Sequence, residues 1–178
     1  MTPELTTSST VVRLAQVAAG TRSQLLDLWV RVVNAGGSVG FIAPVTAEQV
    51  GPVLDWWLAR VATGECALVR LEVDGFDPAG FAFLETPRKP HMRHWASVTC
   101  LQLDPDLQGR GLGRALVEAV HEAARVQGLE ALRLQARGGE GLETFYARCG
   151  YREIGRYPRA IRLGPGDDRD EVLLYREL

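Results

Sequence analysis

Lysine is almost missing from this chain of 178 residues: Lys89 stands alone, and the other 19 of its 20 basic residues are arginine. That bias is one of composition and carries no chemistry, while 20 basic residues against 22 acidic ones leave a net charge of −2, which excludes a general nucleic-acid binder. Cysteine is scarce as well. Cys66, Cys100 and Cys149 are odd in number, with no close pairing and no metal-ligand spacing, so free thiols in a reducing compartment and no bound metal are expected. No apolar run reaches membrane-spanning length, and the first residues lack the basic-then-apolar pattern of a signal peptide. The expected location is the cytoplasm, with no membrane partner.

A hydrophobic fraction of 46% and a charged fraction of 24% are those of an ordinary globular protein. Residues 1–10, rich in Thr and Ser, read as a mobile leader ahead of a single domain over 11–178. Val11 to Val17 alternates as a first strand, and Ser23 to Val33 follows as a helix with Leu25, Leu28, Trp29 and Val32 on one face. Three glycines and a closing proline break the pattern over Asn34 to Pro44. Thr46 and Gln49 then make a capping box for a helix to about Ala62. Cys66 to Val73 and Ala79 to Leu84 read as a hairpin with a loop of several residues.

The remaining chain is organised around Thr99 to Gln127. A buried strand (Val98 to Leu103) and a turn on Asp104-Pro105-Asp106 lead to Gly109, Gly111 and Gly113 at every second position, then to a long amphipathic helix. Each glycine is less favourable in a helix than alanine by roughly 1 kcal/mol, so something must approach that backbone closely. A helix N-terminus offers unpaired N–H groups and about half a positive charge, which suits a phosphate group. No lysine follows the glycines as a P-loop requires, and Arg114 and Leu116 occupy the third positions of any Gly-x-Gly-x-x-Gly pattern. Ala131 to Ala136 reads as a second buried strand, Leu142 to Arg148 as a short helix, and Tyr151 to Arg156 with Asp170 to Arg176 as a last strand pair.

Gln108-Gly109-Arg110-Gly111-Leu112-Gly113, at the start of a helix that follows a strand, resembles the pyrophosphate-binding signature of the GNAT superfamily of N-acetyltransferases. The order of elements resembles that family too. The resemblance implies an α/β fold: a central mixed sheet, flanked by helices, in which the parallel strands bearing Leu103 and Ala136 splay apart. It implies acetyl-CoA as co-substrate, its pyrophosphate on Gln108 to Gly113 with Arg114. Its pantetheine would lie along the backbone of Leu101, Gln102 and Leu103. The apolar, non-alternating look of both strands suits a parallel pair joined by a crossover helix.

Transfer of an acetyl group to an amine needs a polarised thioester carbonyl, a neutral nitrogen and a proton for the departing thiolate. Tyr146, in Phe145-Tyr146-Ala147-Arg148, sits where the family has its tyrosine general acid; a phenol with pKa near 10 is protonated at neutral pH. Tyr151 and Tyr157 match no motif position. On the acceptor side, Ser38 to Phe41 with Pro44, the His91 and His94 region and the C-terminal Arg169 to Tyr175 look closest to the tabtoxin resistance acetyltransferase group. In that group acidic residues are expected where this chain has Ser97 and Gln135. The proton acceptor is then sought among His94, His91, Ser97 or Thr99 through a water, and Glu140 or Glu143. Phe41, Ser97 and Gln135 are expected to line the acceptor site. One of Trp56 and Trp57 is expected in the core and the other over the cleft, and Asp170-Glu171 is weighed as an attractor of ammonium. The implied reaction is acetylation of a small primary amine; a peptide N-terminus and an idle acyl-CoA-binding module are the alternatives, and the formation of a homodimer is left open.

Overall fold

The computed structural model describes residues 11–14 and 17–178, with the side chains of 11–14 outside the description. The expected leader over 1–10, and residues 15 and 16 of the first expected strand, lie outside the described residues. The elements run β1 (Val11–Leu14), α1 (Thr21–Asn34), α2 (Ala47–Ala62), β2 (Cys66–Val73), β3 (Phe76–Glu85), β4 (Trp95–Leu103), α3 (Leu112–Val126), β5 (Ala131–Arg137), α4 (Leu142–Arg148), β6 (Arg152–Gly164) and β7 (Asp167–Glu177). Among the described residues, seven strands form one mixed sheet in the order β1-β2-β3-β4-β5-β7-β6, with β4 and β5 as its parallel neighbours.

The two faces of the sheet are covered differently. Leu116, Val117, Val120 and Ala124 of α3 are buried with Val69, Leu84, Val98 and Leu132. On the other face Leu25, Leu28 and Trp29 of α1 and Leu54 and Trp57 of α2 close over Leu68, Phe81 and Phe83. Trp57 stacks on Phe83 with ring centroids 5.0 Å apart, whereas Trp56 is turned out and lies under the Arg60 guanidinium at 4.5 Å. The start of α2 follows the sequence pattern: Gln49 Oε1 accepts the Thr46 backbone N–H at 2.9 Å.

Three local expectations are corrected. The β2–β3 hairpin turns on Asp74-Gly75 alone, with Gly75 at φ +82°, so β3 begins at Phe76 rather than after a loop of several residues. Strand β6 continues to Gly164, eight residues beyond Arg156, because its outer half pairs with β7 (Ile161 with Arg169) away from any helix. It is tied there by Arg159 and Arg162 on Asp168, at 2.9 and 2.7 Å. Finally, β5 is not uniformly apolar. Leu132, Leu134 and Ala136 are buried towards α3, while Arg133 and Gln135 on the opposite face are exposed, because α1 and α2 stop short of β5.

Candidate functional site

The site is built where β4 and β5 part. They pair at Trp95 with Ala131, Ala96 with Leu132 and Ser97 with Arg133, and no further. Beyond Ser97, β4 pairs only with β3, and beyond Arg133, β5 pairs only with β7. The facing edges of Val98 to Leu103 and of Leu134 to Arg137 are therefore left without a strand partner. The cause lies in β4: Phe83 pairs with Thr99 but Phe81 pairs with Gln102, so two residues, Cys100 and Leu101, oppose the single Ala82. Such a bulge bends the strand and raises its twist. Cys100 takes φ +51° to make it, and Gly80 admits it, since a Cβ there would lie 2.7 Å from the Gln102 carbonyl oxygen.

Next to the parting lies the start of α3. Gly109 and Gly111 sit at φ +75° and +80°, the left-handed region in which glycine carries no steric cost. Gly113 has no such need: a Cβ would meet the Phe145 ring at 3.5 Å, an ordinary contact, so neither backbone conformation nor internal crowding demands glycine there. Arg114 and Ala115 return their amides to the Gly111 carbonyl, and among the described residues the amides from Gly109 to Gly113 make no backbone hydrogen bond. Gln108, Gly109, Arg110, Gly111 and Arg114 are exposed. This open row of donors at a helix N-terminus fits the pyrophosphate of acetyl-CoA, and the unpaired β4 edge fits an amide-bearing chain such as pantetheine. Leu112 and Leu103 pack beneath it in the α3-side core, and Gln102 is buried with its Nε2 on the Cys100 carbonyl at 3.3 Å.

Tyr146 descends from α4 into the same core, buried, edge-on to Phe145 and Tyr151 with centroids 5.0 and 5.7 Å away. Burial, with Cys149 adding to it, pushes its phenol well above the ordinary value, so the ring is neutral at any working pH. Tyr151 brings its hydroxyl to 3.3 Å from His121 Nε2, and His121 Nδ1 lies 3.3 Å from Glu118 Oε2. Burial, and then Arg176, lower the His121 pKa. This polar string, buried at Tyr151 and His121 and open to solvent at Glu118, was not legible beforehand. His121 occupies an apolar-face position of α3, and only the fold brings Tyr151 to it.

On the opposite face, one row of cross-strand neighbours runs Cys66, Glu85, Ser97, Arg133, Tyr175, Arg152. The Arg133 guanidinium lies over the Trp95 indole, its Cζ 3.5 Å from the ring centroid, and its Nε donates to Ser97 Oγ at 3.3 Å. Glu85 pairs with Arg60 at 2.7 Å. Neither Arg133 nor Glu85 was singled out from the sequence; the alternation of β5 was the signal for the first. Thr99, one step nearer the opening, has a buried hydroxyl without a partner, and Gln135 stands exposed on the far lip. Phe41 packs edge-on to Trp29 at 6.0 Å. Its connection is anchored by Trp29 Nε1 on the Val39 carbonyl at 2.9 Å and by Asn34 on Val45, and its Ser38 hydroxyl donates to Glu140 beyond the end of β5.

His94 is not brought to these groups. It is exposed before the first residue of β4, seven residues from Leu101, which is about 23 Å of extended strand. Asp170 caps the Arg159 amide at 3.0 Å. Among the described residues, no cluster of three or more His, Cys, Asp or Glu side chains could hold a metal ion, and no helix is long and apolar enough to cross a membrane.

The profile of the acetyltransferase (GNAT) domain matches residues 55–153, from α2 through the first residues of β6. The chain belongs to the GNAT acetyltransferase family. This acetyltransferase is 32% identical over 133 residues, 74% of its own length and 77% of the other's, to an uncharacterised N-acetyltransferase of Azospirillum brasilense encoded in the hisH-hisA intergenic region. Its fold matches that of a provisionally named phosphinothricin N-acetyltransferase with TM-score 0.76 and 22% identity, covering 96% of this chain and 99% of that one. It also matches Salmonella typhimurium YncA, whose structure contains acetyl-CoA, with TM-score 0.73 and 18% identity over 96% and 95% of the two chains.

Proposed function

We propose that this acetyltransferase moves the acetyl group of acetyl-CoA to a primary amine of a small, amino-acid-like acceptor. The observation that carries this reading is the parting of β4 from β5 beyond Ser97 and Arg133, beside the unpaired amides at the start of α3. Gly109 to Gly113 and Arg114 receive the pyrophosphate. The edge of Leu101, Gln102 and Leu103 receives the pantetheine, and an amide at the Cys100–Leu101 bulge donates to the thioester carbonyl as charge gathers on its oxygen. Tyr146, kept neutral by burial, gives a proton to the departing thiolate. Glu85 supplies a carboxylate beside Ser97, where the related group's acid is missing, and takes the amine's proton through a chain of waters held by Ser97 and Thr99. His94 has no part in this scheme.

A small acceptor is favoured over a peptide because the connection carrying Phe41 reaches over to Glu140 and narrows the approach. The likeness to a provisionally named phosphinothricin N-acetyltransferase agrees with the tabtoxin-resistance grouping. The test is calorimetric titration with acetyl-CoA followed by thiol release over amino acids, polyamines, aminoglycosides and short peptides. Turnover confined to amino-acid-like amines is expected; absence of acetyl-CoA binding overturns the reading.

A further inference from the structure

Arg133 is the last β5 residue paired with β4, so it stands at the floor of the opening, on the face not covered by α3. Three contacts prepare it. The Trp95 indole underlies the guanidinium, Ser97 Oγ accepts from Nε, and the backbone on both sides is locked into ladders with β4 and β7. The two Nη groups then form a fork with fixed orientation, the geometry that binds a carboxylate through two parallel hydrogen bonds. Yet among the described residues no carboxylate pairs with it, although nearby Glu85 is held by Arg60 at 2.7 Å. This face thus carries an arginine that lies over an indole, is hydrogen-bonded at Nε and, among the described residues, has no carboxylate partner.

We propose that Arg133 binds a carboxylate on the acceptor, set apart from the amine that is acetylated. This rests on the acetyl-transfer reading above. The separation follows from the strand: because of the bulge, Ser97 and Leu101 lie opposite Glu85 and Ala82, three residues apart on β3, roughly 10 Å at about 3.3 Å per residue. A hydrogen bond of about 3 Å at each end leaves about 4 Å between amine and carboxylate. That distance suits an ω-amino acid of three or four carbons, or the side-chain acid of glutamate. The amine and carboxylate of glycine, which share one carbon, cannot span it. Arg133 is thus a specificity residue, and the acceptor class is a zwitterion with distal charges.

The test compares kcat/KM for 4-aminobutanoate and glutamate with that for their amides, 4-aminobutanamide and glutamine, in the wild type, Arg133→Gln and Arg133→Lys. The wild type is expected to favour each acid about tenfold or more, a two-point charge-assisted contact being lost with the amide. Arg133→Gln is expected to bring the ratio close to one through KM, and Arg133→Lys to keep part of it. Acetyl-CoA affinity, read by calorimetry in the same samples, should be equal in all three proteins and so report an intact fold. Equal use of acid and amide by the wild type, or an acid preference that survives Arg133→Gln, overturns the proposal. Acetyl-CoA binding with no turnover of any of the four amines overturns it too, while leaving the cofactor site in place. Failure to bind acetyl-CoA strikes instead at the acetyl-transfer reading.

Discussion

Ser97 and Arg133 are the last pair at which β4 and β5 meet, and a 3.3 Å hydrogen bond from Arg133 Nε to Ser97 Oγ joins them at that point. The edge assigned to the thioester lies on the open side of this pair, where β4 carries the bulge at Cys100 and Leu101.

That bulge depends on Cys100 holding φ +51°, which a β-branched side chain tolerates poorly. Cys100→Val is expected to lower stability by about 1–3 kcal/mol and to reduce turnover by shifting the donor at the bulge. Cys100→Gly should keep both. Denaturant midpoints and thiol-release rates decide it; a fully active, fully stable valine variant would show that the backbone there is not held as described.

Gly111 serves two needs, since it caps α3 at φ +80° and presents the open amides. Gly111→Ala should cost only the backbone strain, about 1 kcal/mol, with acetyl-CoA still bound. Gly111→Glu adds bulk and negative charge at the pyrophosphate position, and a loss of at least about tenfold in affinity is expected by calorimetry. Equal affinities for the two variants would remove the phosphate assignment.

Tyr146→Phe deletes a hydroxyl that has no hydrogen-bond partner among the described side chains, so little stability should be lost. The rate constant should fall by about 10²-fold or more while acetyl-CoA affinity holds, the range for removal of a positioned acid. Because burial raises this phenol, its own ionisation should not appear in the pH–rate profile below about pH 10. A wild-type rate would return Tyr146 to packing.

His121 predicts a pH dependence of stability. Its folded pKa lies below the ordinary 6.5, so below that value the unfolded chain binds the proton more readily than the folded one. Stability should therefore fall as pH drops from about 6.5 towards the folded pKa, and be unaffected by this group above it. The charged groups around it act in both directions: Glu118 favours the proton, Arg176 and Arg125 oppose it. Thermal midpoints over pH 5 to 8 should show a shallower acid decline in His121→Gln than in the wild type. Parallel curves would mean that His121 does not titrate on unfolding.

Much of the fold was legible because its signals are local. The Thr46 and Gln49 capping box, the Gly128 stop after α3 and the glycine-rich opening of that helix are each set by a few adjacent residues, and the elements appear where those residues place them. The order of strands and helices followed from the same signals. The length of β6 did not, since its outer half is held by Arg159 and Arg162 on Asp168 of the partner strand, and such cross-strand pairs have no local pattern. Tyr146 was singled out by its motif, and its role belongs to the proposal. Arg133 was overlooked because a strand residue acquires a role only when its face is known, and β5 by itself does not say which face stays bare.

The sequence by itself determined which segments become helix or strand and where a negatively charged ligand can meet free amides, since capping, periodicity and glycine content act over a few residues. Only the tertiary structure decided where β4 and β5 stop pairing and that Glu85 and Arg133 flank Ser97. Those are relations between strands separated by more than ten and up to some thirty-five residues of chain. They depend on a bulge, a crossover helix and the coverage of each face, none of which any one segment contains.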